Sequence, residues 1–148
     1  MIIKKASLSD LRKIVPLFDA YRMFYKQQSN IEDALAFLKA RFENQDNVVF
    51  LALEGNEPIG FMQLYKTFSS VSLQSFYILN DLYVNPEYRK RGVGEALLNS
   101  AKTFCSEQNA KGLALETAKD NPAQHLYERM GWRKDTDFFH YFWKNDQD

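Results

Sequence analysis

Apolar residues recur along the chain with changing periods, and the changes divide it into elements. Residues 1–6 open on a short apolar run that reads as a strand. The spacing then turns helical. Leu11, Ile14, Val15, Phe18, Tyr21 and Tyr25 share one face, Ser7 or Ser9 is placed to cap the start, and Asp10 sits near the positive end of the helix. Pro16 falls inside this pattern and lacks an N–H, which predicts a bend or a delayed start. Ile31, Ala34, Leu35, Leu38 and Phe42 repeat the spacing in a second helix, capped by Asn30 and ending near Asn44. Two β-rich runs follow, 47–53 (NVVFLAL) and 59–65 (IGFMQLY), and the turn chemistry of EGNEP between them predicts an antiparallel hairpin. A further strand spans 74–84 and closes at Asn85-Pro86. From about 92 to 109 an amphipathic helix carries Val93, Leu97, Leu98, Ala101, Phe104 and Cys105 on one side, and Glu95, Asn99, Lys102 and Glu107 on the other. GLALETA reads as a short buried strand, NPAQHLYERMGW as a short helix ended by Gly131, and FFHYFWK as a final strand, with only the closing NDQD frayed. The predicted order is β-α-α-β-β-β-α-β-α-β, a mixed α/β (α+β) sheet. Neither a repeat nor a linker longer than a turn interrupts it, so residues 1–148 are expected to form a single domain.

Composition narrows the function classes. A chain of 148 residues with 45% apolar and 15% aromatic residues is long and apolar enough for one self-sufficient core. Nineteen Lys plus Arg balance nineteen Asp plus Glu. That zero net charge excludes whole-surface attraction to nucleic acid or an anionic membrane, so any basic patch is local. A single cysteine, Cys105, excludes an intramolecular disulfide and a multi-thiolate metal site, and suits a reducing compartment, with the cytosol expected. Its place on the apolar helix stripe makes it a small buried hydrophobe rather than a nucleophile. His125 and His140 show no ligand spacing, so no metal is predicted. No window reaches the ~20 apolar residues of a membrane span, and the start lacks the order of a secretory signal. The chain is expected to be soluble and unprocessed.

The segment LYVNPEYRKRGVGEALL carries the most chemistry. A strand runs into a loop whose Gly92 and Gly94 admit close backbone approach, and the loop passes straight into a helix start. Arg89, Lys90 and Arg91 stand beside that start, where the helix carries roughly +0.5 charge, so a pyrophosphate there would collect backbone N–H bonds and ion pairs. A bare G-x-G is equally what a tight strand-to-helix turn with a solvated basic tip requires. The loop lacks the third glycine of the dinucleotide fingerprint and is not G-x-x-x-x-G-K-[ST], so those nucleotide readings fall.

Arg89-Lys90-Arg91-Gly92-Val93-Gly94, preceded by Asp81-Leu82-Tyr83-Val84 and Pro86, resembles the R/Q-x-x-G-x-G/A segment of the GNAT superfamily of N-acetyltransferases. Asn121, Ala123, Leu126 and Tyr127, followed by Gly131-Trp132, resemble the family's N-x-x-A-x-x-L-Y helix and its exit. The element order is similar from Ile2 to Lys144. The resemblance implies a central, mostly antiparallel mixed sheet flanked by helices, with a splay between the fourth and fifth strands. It also implies transfer of acetyl from acetyl-CoA to an amine within a ternary complex. Main-chain groups of Leu82, Tyr83 and Val84 would then bond the pantetheine arm and polarise the thioester, and the loop residues Arg89, Lys90, Arg91, Gly92, Val93, Gly94 and Glu95 would grip the pyrophosphate. Asn121 and Ala123 would hold the coenzyme arm. Tyr127 takes the family's general-acid position, and a phenol near pKa 10 is able to donate a proton to a departing thiolate whose thiol has a pKa near 8.5.

The base is open. Related polyamine acetyltransferases place a glutamate where this sequence has Asn80, and asparagine cannot accept the proton. Asp81 ranks first, with Glu116 or an ordered water as alternatives. YILNDLYVNPEYRKRGVG and the aromatic first helix are closest to the diamine and polyamine type. Asp19, Tyr21, Phe24, Tyr25, Glu32 and Asp33 would overhang the acceptor, where aromatic faces and carboxylates attract a cation. Tyr25, Asn80 and Glu116 are the expected substrate contacts, and a homodimer is a family expectation. The leading expectation is thus acetylation of a small primary amine, polyamine-like or amino-acid-like. Acetylation of a protein lysine or N-terminus, or a non-catalytic coenzyme sensor, stands as the alternative.

Overall fold

The sheet grows outward from three long antiparallel strands. In the computed structural model, which describes residues 1–145, β2 (Asn47–Glu54), β3 (Glu57–Ser69) and β4 (Gln74–Val84) pair in sequence order. The EGNEP turn closes the first hairpin, with Gly55 at φ 60, as its residue types require. β1 (Ile2–Lys5) adds antiparallel to β2, and β5 (Leu113–Ala114) adds parallel to β4, giving the order β1-β2-β3-β4-β5. This is the mixed sheet that the pattern predicts.

Each face of the sheet receives helices. α1 (Leu11–Phe24) and α2 (Ile31–Glu43) bury Ile14, Val15, Phe18, Ala34 and Leu38 against Val49, Leu51 and Leu53 of β2 and Phe61 of β3. The intervening residues of β2 face the other way, where Phe50 meets Phe104 of α3 (Val93–Glu107), ring centroids 5.8 Å apart. α1 runs through Pro16. It follows a short 3-10 turn capped by Ser7, whose N–H donates to the Asp10 carboxylate at 2.9 Å, and Lys4 Nζ donates to the same carboxylate at 2.9 Å. α2 begins and ends as the spacing predicts: the Asn30 side chain accepts from the Asp33 N–H at 3.0 Å.

Met1–Glu116 forms one compact unit; the rest of the chain, from Thr117, forms a second. The second unit contains α4 (Ala123–Arg129), started by Asn121, whose Oδ1 accepts from the Ala123 N–H at 2.9 Å, and ended by Gly131 at φ 92. Two predicted strands change. GLALETA is reduced to two residues and is half-buried to exposed rather than buried, because the ladder that forms has only β4 beside it. FFHYFWK forms no strand: residues 133–145 lie in neither helix nor strand. Aromatic side chains favour a pleated surface, but a strand exists only through a hydrogen-bonded neighbour. Phe138, Phe139, Tyr141, Phe142 and Trp143 are 71–93% exposed. Of the predicted frayed end, residues 146–148 lie outside the described residues. No helix among the described residues is long and apolar enough to cross a membrane.

Candidate active site

Parallel pairing along β4 stops at Ile78, the partner of Ala114, while pairing with β3 continues to Val84. Residues 79–84 therefore have β3 on one edge and an opening on the other, which is the predicted splay. Antiparallel alternation decides which main-chain groups use that opening. Asn85 N–H donates to the Ile59 carbonyl at 2.8 Å, so Tyr83 pairs with Phe61 while the N–H and C=O of Leu82 and Val84 point to the open edge. Of the three strand residues expected to serve the coenzyme arm, Leu82 and Val84 present main-chain groups at the open edge, and Tyr83 faces α1 with its ring.

The loop from Asn85 to Gly92 is built to turn sharply. Asn85 Oδ1 accepts from the Glu87 N–H at 3.0 Å, the Tyr88 hydroxyl donates to Glu57 at 2.8 Å, and Lys90 and Gly92 take left-handed φ values of 64 and 81. Gly92 is the N-cap of α3, and with no side chain it leaves the first turn without a side-chain cap. α2, by contrast, fills its own start with Asn30. A Cβ at Gly92 would meet nothing within 4 Å, so the conformation alone calls for glycine. Arg89 folds back, its Nε donating to the Val84 carbonyl at 3.0 Å and its guanidinium 5.5 Å from the Tyr83 ring centroid. Arg91 lies 5.2 Å over Tyr88, and Lys90 is exposed. Val93 is buried beneath the turn, and Gly94 and Glu95 continue α3. An uncapped helix start with three cations beside it fits a pyrophosphate.

The register between β3 and β4 slips once. Gln63 pairs with Asp81 and Leu64 with Leu79, which leaves Asn80 as a β-bulge. Before it, Tyr77 faces α3, its ring 5.1 Å from that of Phe104; after it, Asp81 and Tyr83 face α1. Asp81 is thus carried into the interior at 3% exposure. Gln63 Nε2 donates to one of its carboxylate oxygens at 2.5 Å and Asn80 Nδ2 to the other at 2.9 Å, while Gln63 Oε1 accepts from Asn47 at 2.8 Å. Burial pushes the Asp81 pKa up, and the hydrogen bonds from Gln63, Asn80 and Tyr21 work against that rise. Burial and the nearby Asp81 charge push the Tyr65 phenol up to about 12.

Tyr21 ties α1 to the bulge. Its hydroxyl donates to the Asn80 carbonyl at 3.0 Å, and its ring lies 5.0 Å from that of Tyr25. Asn80, Asp81 and Tyr25, named separately from the sequence, are therefore neighbours through a residue that sequence reasoning placed only among the overhanging aromatics. Gln63 and Asn47 were not anticipated at all; the available signal was a single amide interrupting the apolar run IGFMQLY. Asp19 holds the α1–α2 connection, accepting from Ser29 Oγ at 2.6 Å and the Asn30 N–H at 2.8 Å. Glu116 is exposed, two residues past β5. In the second unit, Tyr127 packs its ring 5.9 Å from that of Trp132, and the main-chain N–H of Trp132 donates to the Tyr127 carbonyl at 3.0 Å. Cys105 is buried, with its thiol pushed up by burial, and no metal-ligating cluster occurs among the described residues.

An acyltransferase frame is what these parts define, and the chain belongs to the acetyltransferase (GNAT) family, whose model matches residues 14–132. That family uses acetyl-CoA as co-substrate. The chain is 50% identical over 142 residues, 95% of each protein, to the uncharacterized N-acetyltransferase YhfO of Bacillus subtilis (strain 168). It is 32% identical over 141 residues to a probable acetyltransferase of Haemophilus influenzae, covering 86% of this chain and 97% of the relative. The crystal structure of a probable acetyltransferase superposes with a TM-score of 0.93 at 39% identity over 100% of both chains.

Proposed function

We propose that the chain is one acetyltransferase domain that moves acetyl from acetyl-CoA directly to the primary amine of a small molecule, polyamine-like or amino-acid-like, and that it works in the cytosol as a homodimer. The observation that carries the donor half is the pairing of an open β4 edge with a helix start left uncapped by Gly92. Leu82 and Val84 supply main-chain groups to the pantetheine arm, and the turn from Arg89 to Glu95 holds the pyrophosphate. Asn121 spends Oδ1 on the start of α4, which leaves its amide N–H₂ to bond the arm, with Ala123 beside it.

An amine near pKa 10.4 must lose a proton before attack. Asp81 is closed off by Gln63 and Asn80, so in this reading Glu116 or an ordered water accepts that proton. Tyr127 donates a proton to the departing thiolate. Support for a small cationic acceptor is the Tyr21–Tyr25–Phe24 ring cluster, with centroids 5.0 and 5.2 Å apart, against the bulged strand.

A thiol-release assay with acetyl-CoA against amines, amino acids and peptides tests the reading. Turnover with small amines is the expected result. Turnover confined to peptides would move the acceptor to a protein lysine or N-terminus, and coenzyme binding without turnover on any member would leave a sensor.

A further inference from the structure

Asp81 is a carboxylate held at 3% exposure, and two amide side chains, those of Gln63 and Asn80, converge on it. Gln63 lies across the sheet with 0% exposure, and its orientation is fixed, because its Oε1 is already taken by Asn47 Nδ2. Gln63 can therefore only donate to Asp81. Asn80 also donates, to the other oxygen. A carboxyl group meeting two amide donors is a double acceptor, which is the geometry of the ionised form. The same Asn80 is the bulge residue, and its carbonyl is held from the opposite side by the Tyr21 hydroxyl.

We propose that Asp81 is a positioning residue: Gln63 and Asn80 lock its carboxylate, the lock holds the β4 bulge in place, and the bulge determines that Leu82 and Val84, not Asp81 and Tyr83, turn their main-chain groups to the open edge. The physical reason is parity. A strand alternates its main-chain groups between its two edges and its side chains between its two faces, so one inserted residue exchanges both sets beyond it. Were the bulge to relax, the register from Asp81 onward would slip by one, and the donors facing the coenzyme arm would be replaced by carbonyl and amide groups displaced along the strand. The inference rests on the reading that acetyl-CoA lies along that edge.

Reversing the polarity of the buried hydrogen bond separates a lock from a base. In Asp81→Asn an amide N–H faces one of the two donors. In Gln63→Glu/Asp81→Asn the introduced carboxylate at 63 accepts both from Asn47 and from the introduced amide at 81, whose oxygen still accepts from Asn80. CoA affinity by calorimetry and kcat and KM for acetyl-CoA are measured on the full chain, with thermal melts to establish folding. Asp81→Asn is expected to weaken CoA binding about tenfold and raise KM for acetyl-CoA, on the order of one misdirected buried hydrogen bond, and the double variant to return within about threefold of wild type. A folded double variant as impaired as Asp81→Asn would overturn the lock, since only the charge at 81 would then matter.

Asn80→Ala removes the exposed half of the lock without entering the core. It is expected to lower CoA affinity about threefold, a readout that a contact with the acceptor would not move, and it decides the matter if either core variant fails to fold. Unchanged affinity would overturn the proposal. Absence of CoA binding by the wild type would instead defeat the donor reading itself.

Discussion

Asp10 shows how much one buried carboxylate does at the start of the chain. Burial raises its pKa, but the Ser7 N–H and the Lys4 ammonium outweigh that and hold it below the ordinary value of 3.8. The folded chain thus binds this proton more weakly than the unfolded chain. Its stabilisation is fully present above 3.8 and drains away as pH falls through the lowered folded value. Asp10→Asn should cost roughly 1–2 kcal/mol at neutral pH and progressively less as pH falls below 3.8; a series of urea melts from neutral to acid pH checks this, and a constant cost across the series would remove Asp10 from the account. Tyr127→Phe belongs to the same scale. It deletes one hydroxyl while keeping the ring against Trp132, so turnover should fall by about 10²-fold or more with CoA affinity nearly unchanged. Equal turnover would end the acid role. At this scale the sequence was uneven. Asp81 and Asn80 were legible because they lie beside a motif, whereas Gln63 was not, since its role depends on a register slip between two strands that spacing along one strand does not encode.

Elements were read well where their signals are local. Asn30 caps α2 at its predicted place, the EGNEP hairpin closes, and the α3 stripe buries Val93, Leu97, Leu98, Ala101, Phe104 and Cys105. They were read poorly where existence depends on a distant neighbour, as in the two-residue β5 and in FFHYFWK. The turn before α3 offers a test at this scale. Gly92→Asp forces a side chain into left-handed backbone, but its Cβ meets nothing within 4 Å, so the fold should survive. The added negative charge then opposes the phosphates, and CoA affinity should drop at least about tenfold, near 1.4 kcal/mol. Calorimetry showing the wild-type affinity would discard the loop assignment. A packing control on the opposite helix pair is Leu38→Ala: Leu38 is 0% exposed in the α1–α2 core. Its loss should cost about 2–5 kcal/mol in a urea melt while leaving KM for acetyl-CoA unchanged.

For the molecule as a whole, zero net charge and an aromatic tail act together. With no like-charge repulsion to keep copies apart, a run of rings in water favours association. Trp143, 79% exposed, is one of only two tryptophans, and it makes the tail its own optical reporter. If the proposed homodimer forms through this tail, emission should move to shorter wavelength, and acrylamide quenching should weaken, as rising protein concentration doubles the mass in light scattering. A spectrum that stays constant across that dilution series would remove the tail from the proposed homodimer.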